Sequence, residues 1–85
     1  MSDWRWEYLS GAEHTVGGLP DGQRAEVEVI ARRLADAAEV KYLSDPPAAE
    51  AGRAPVQTFA EGRWMVWFQE YRVRQVVYVL SVQRL

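Results

Sequence analysis

The chain has 85 residues and a net charge of −2; nearly half of it is hydrophobic, including four Trp, four Tyr and two Phe. That length fits one domain over residues 1–85, and the apolar content excludes a disordered chain. The absence of cysteine excludes a disulfide framework, a thiolate zinc site and a thiol nucleophile.

No apolar run is long enough to cross a bilayer, and Met1-Ser2-Asp3-Trp4-Arg5 lacks the basic-then-apolar order of a signal peptide. The expectation is a cytoplasmic protein with no membrane partner and no cofactor. Charge is uneven. Residues 1–55 hold six basic and ten acidic side chains, a balance of −4. Residues 56–85 hold Arg63, Arg72, Arg74 and Arg84 against Glu61 and Glu70, a balance of +2.

In chain order, Trp4-Arg5-Trp6-Glu7-Tyr8-Leu9 alternates aromatic and polar residues, which predicts a strand with Trp4, Trp6 and Tyr8 on one face. Gly11, Gly17 and Gly18 break residues 10–19 into a loop with one helical turn around Ala12–Val16. Leu19-Pro20-Asp21-Gly22 then opens the main helix, expected from Asp21 to Tyr42. Val27, Ile30, Ala31, Leu34 and Ala38 form its apolar stripe. Glu26, Glu28, Arg32, Arg33, Asp36 and Glu39 fall on the other side, with Glu28–Arg32 and Arg32–Asp36 spaced to pair. Pro46-Pro47 must follow the helix end, so residues 44–55 read as a loop.

Three strands are expected beyond it. Val56–Ala60 comes first, and Glu61-Gly62 turns the chain with Gly62 at positive φ. Arg63–Gln69 is a central strand, apolar on both sides: Trp64, Val66 and Phe68 on one, Met65 and Trp67 on the other. Glu70-Tyr71-Arg72 makes the next turn. Val73–Val82 is the last strand, with Val76, Tyr78, Leu80 and Val82 on its more apolar face. The fold class is therefore α+β, a small antiparallel sheet backed by one long helix. One helix covers one face, so apolar sheet surface is left for a partner or a second copy.

Chemical signatures are sparse. There is no glycine-rich phosphate loop and no paired-histidine metal motif. His14, the sole histidine, reads as a solvated loop residue, and Glu26 and Glu28 read as a solvated helix face. Arg63, Arg72, Arg74 and Arg84 flank the last two strands. They either protect strand ends with charge or contact phosphate, for which the guanidinium fork is suited.

Gly62-Arg63-Trp64-Met65-Val66-Trp67-Phe68, then a turn, then Arg74-Gln75-Val76-Val77-Tyr78-Val79-Leu80-Ser81-Val82-Gln83-Arg84, resembles the paired last strands of the RelE/ParE toxin superfamily. Leu19-Pro20 before the main helix and Ser44-Asp45-Pro46 after it are similar too, as is the order strand, helical region, three strands. The resemblance implies a type II toxin–antitoxin toxin held inactive by an antitoxin protein or peptide. RelE-like members cut mRNA in the ribosome, and ParE-like members inhibit DNA gyrase. Cleaving members use basic residues on the sheet with a C-terminal Tyr or His.

By motif, Arg63 and Arg84 take the places of basic residues on the last two strands, as charge-stabilising catalytic candidates. Arg63, Arg72, Arg74 and Arg84 are the candidate nucleic-acid contacts. The pattern departs from cleaving members in three ways. Val56–Ala60 carries no lysine, no Tyr or His follows Arg84, and the glycine-broken segment 10–18 stands in place of the first helix. Arginine stays protonated, so it stabilises charge but does not accept a proton. The resulting expectation is a toxin-family protein that acts by binding its target. A RelE-type mRNA endonuclease and a non-toxic interaction or homodimerisation module are the alternatives.

Overall fold

The computed structural model describes residues 3–9, 11–43 and 54–85. The expected loop at 44–55 lies outside these residues except for Ala54 and Pro55. Strand β1 is Arg5–Tyr8, helix α1 Ala12–Gly17, helix α2 Asp21–Lys41, strand β2 Gln57–Glu61, strand β3 Trp64–Tyr71 and strand β4 Val76–Arg84. The order across the sheet is β1-β4-β3-β2.

The α+β class is as expected, with one refinement. β2, β3 and β4 form an antiparallel meander, while β1 adds to β4 in parallel, Arg5 facing Val76 and Tyr8 facing Val79. A parallel pair needs a long crossover. Here both helices and the β2–β3 hairpin lie between the two strands in sequence.

α2 starts after Pro20, whose carbonyl accepts the first helical bond from the Arg24 amide at 2.9 Å. Asp21 in its first turn and Lys41 in its last suit the helix dipole. Arg32 bonds Asp36 as expected, and it also donates to the carbonyl of Trp4 at 2.7 Å. Glu28 departs from the expected Glu28–Arg32 pairing: it accepts from Arg24 and from the Tyr8 hydroxyl instead.

The core lies between the helices and one sheet face. Val27, Ile30, Ala31, Leu34, Ala35 and Ala38 of α2 and Val16 of α1 meet Trp64, Val66 and Phe68 of β3 and Val77, Val79 and Val82 of β4. The alanines at 31, 35 and 38 are essentially inaccessible, which lets the α2 backbone lie close over the sheet. Trp6 and Tyr8 of β1 and Phe59 of β2 close the flanks.

Two details differ from the period-two reading. A bulge interrupts the β3–β4 ladder: Trp67 faces Ser81, but Phe68 faces Val79. Leu80 is the extra residue, so Val82 turns to the helices while Val76 and Tyr78 lie on the opposite face. β3 also runs on through Glu70 and Tyr71, and the turn sits at Arg72–Gln75 rather than at Glu70–Arg72. Tyr71 is held in the strand by pairing with Val76 and by edge-on contact with Tyr78, ring centroids 5.0 Å apart.

Candidate functional site

The four candidate arginines fall into two pairs at opposite ends of the sheet. β3 spans eight residues, so its ends are about 24 Å apart at about 3.4 Å per residue.

Arg63 and Arg84 share one end. Gly62 and Arg63 form a two-residue turn between the paired Glu61 and Trp64. Gly62 has φ +58° and Arg63 stays out of the positive-φ region, the pattern of a type II′ hairpin, which wants glycine first. Arg84 pairs across the ladder with Trp64, and the Leu85 amide donates to the Arg63 carbonyl at 2.7 Å. Strand register therefore brings together two residues 21 positions apart.

The Arg63 guanidinium does not point into open solvent. Its Nε and Nη2 donate to Oε1 and Oε2 of Glu26 on α2, at 3.2 and 2.5 Å. This is the parallel two-bond geometry of an arginine–carboxylate fork. The hydrogen bond from Arg63 lowers the Glu26 pKa, and the nearby indole of Trp64 and the charge of Arg84 lower it further. Beside the pair lies a cavity of about 220 Å³ bordered by Val29, Ile30, Trp64, Gly62, Glu61, Glu26 and Arg63. Glu61 is in turn paired with Arg33 of α2 at 2.6 Å.

Arg72 and Arg74 occupy the other end. The Arg72 guanidinium sits 4.6 Å from the centre of the Tyr42 ring, and Tyr42 stacks on Trp4. Arg74 donates to the Tyr78 hydroxyl at 3.2 Å. Tyr78, expected on the more apolar face of its strand, is half-buried on the sheet face away from the helices. Beside it, Gln69 is buried and donates to the Ala54 carbonyl at 2.6 Å. Met65, Trp67 and Leu80 are partly exposed on the same face.

The remaining candidates separate. His14 is exposed on α1. Lys41 of α2 reaches the sheet, 3.1 Å from the Glu70 carboxylate, but at the end away from Arg63. Sequence reasoning missed Glu26, which reads as one more acid on a solvated helix face. The charge split between the two halves of the chain was its only trace.

The fold is similar to a chain in the crystal structure of the intact E. coli RelBE toxin–antitoxin complex, with a TM-score of 0.62 and 11% identity over 96% of both chains. The chain has a RelE-like fold. No family model matches the sequence, and no curated protein matches it. Among the described residues, no helix is long and apolar enough to cross a membrane.

Proposed function

We propose that the chain is a toxin-family protein of a type II toxin–antitoxin system. It binds an anionic cellular target at the sheet end bearing Arg63 and Arg84, and an antitoxin peptide neutralises it. The observation that carries this reading is the convergence of Arg63 and Arg84 at one end of a RelE-like sheet. Two arginines brought to one end of the sheet suit phosphate.

Binding is favoured over cleavage by what the two arginines can do. Cleavage through a ribose 2′-hydroxyl needs a proton acceptor. Arginine stays protonated, so Arg63 and Arg84 stabilise charge and do not accept a proton. The partly exposed Met65, Trp67 and Leu80 offer the antitoxin an apolar face. Targets to distinguish are the mRNA-loaded ribosome and DNA gyrase. Induction in a bacterial host tests the reading. Growth arrest that Arg63→Ala and Arg84→Ala each relieve is expected; unimpeded growth with the wild type would favour a non-toxic interaction or homodimerisation module.

A further inference from the structure

Glu26 is an exposed residue that nothing in the fold obliges to be acidic. It and Arg63 each keep more than two-fifths of their side-chain surface in solvent, so their pairing adds little to stability. What the pairing does is fill the Arg63 fork at the proposed site. Both carboxylate oxygens sit on the two guanidinium nitrogens that would hold two oxygens of a phosphate. Arg84 is differently placed. Among the described residues it has no carboxylate within ion-pair distance, yet its charge reaches Glu26.

We infer that Glu26 is a specificity-determining residue. It is a built-in competitor for the Arg63 fork, displaced only by a ligand that presents adjacent phosphodiesters, one engaging Arg84 while the next replaces the carboxylate at Arg63. This rests on the proposed binding site. A tethered carboxylate acts at an effective concentration of the order of millimolar. Single anions at lower concentration therefore do not open the fork. A backbone anchored first on Arg84 gains its own effective concentration at Arg63 and competes on equal terms.

The test is binding of a 20-nucleotide single-stranded RNA at fixed low salt, followed by fluorescence anisotropy. Glu26→Gln should tighten binding roughly two- to fivefold, the range expected for releasing an exposed ion pair. Asp36→Asn makes the same change in net charge on the same helix, away from Arg63, and should give a smaller gain. In a double-mutant cycle the gain from Glu26→Gln should fall to that of Asp36→Asn on the Arg63→Ala background.

If Arg63→Ala and Arg84→Ala weaken RNA binding but Glu26→Gln does no more than Asp36→Asn, the competitor role is overturned and the binding site stands. If neither arginine substitution changes binding, both are overturned. A ten-residue oligoglutamate bound more tightly than RNA by the Glu26→Gln variant would overturn the assignment to phosphodiesters.

Discussion

Tyr42, one residue past the end of α2, donates its hydroxyl to Oε1 of Glu70 on β3 at 2.9 Å. The same oxygen accepts from Lys41 Nζ at 3.1 Å and from Gln57 Nε2 at 2.9 Å. Glu70, with a side chain only 8% exposed, thus fastens the end of α2 to two strands. It is the last of three charged contacts between α2 and the sheet, and the other two are exposed and add little to stability. Glu26, Arg33 and Lys41 reach Arg63, Glu61 and Glu70 from positions seven and eight apart, about two turns each, along one flank of the helix.

Removing Glu70 strands three donors. Glu70→Ala should cost about 1–3 kcal/mol in denaturant unfolding, against a smaller loss for Tyr42→Phe, which leaves the carboxylate with two donors. The linkage also has a pH signature. Burial pushes the Glu70 pKa up, but the hydrogen bonds from Gln57, Tyr42 and Lys41 outweigh it and set the pKa below the ordinary 4.5. A carboxylate depressed in the folded state contributes stability fully above its unfolded value and loses it as pH falls through the folded one. Stability should therefore decline below about pH 4.5, and that decline should be shallower in Glu70→Gln. Parallel pH profiles would remove Glu70 from the account.

Leu34 is 7% exposed in the middle of the α2 stripe, within the same cluster as Trp64, Val66 and Phe68. Leu34→Ala should cost about 2–5 kcal/mol by denaturant unfolding. A loss below about 0.5 kcal/mol would place the stripe outside the core.

Gln75 closes the β3–β4 turn with φ +55°, a left-handed conformation that side chains other than Gly and Asn adopt at a cost. Its amide donates back to the Arg72 carbonyl at 3.3 Å, and its own carbonyl accepts from Arg5 at 3.0 Å. Gln75→Gly should raise stability by about 0.5 kcal/mol, the relief of strain exceeding the added freedom of the unfolded chain. The converse holds at Gly62, φ +58°: a Cβ there meets nothing within 4 Å, so Gly62→Ala should cost about 1–2 kcal/mol from backbone strain alone. Melting curves of the two variants should shift in opposite directions.

Much of the fold was legible because burial imposes periodicity. The stripe Val27–Ala38 and the alternation Trp4, Trp6, Tyr8 each have one face to hide, so each reads correctly. β4 misled because strict alternation assumes an unbroken ladder. The bulge at Leu80 sends Val82 to the helices, and no local residue type announces it. β3 outran its expected end because Tyr71 is fixed by Tyr78, a contact visible only across strands. At the site, Arg63 and Arg84 stood out as cations, but their meeting depends on register. Glu26 stood out least, since its role comes from the approach of α2 to the hairpin.

Binding through Arg63 and Arg84 without cleavage is tested on ribosomes programmed with a defined mRNA, with transcript ends mapped by primer extension. Intact mRNA is expected with the wild-type protein, together with growth inhibition in cells that Arg63→Ala and Arg84→Ala each remove. Robust cutting of the message by the wild type, abolished by both substitutions, would contradict binding without cleavage and identify an endonuclease.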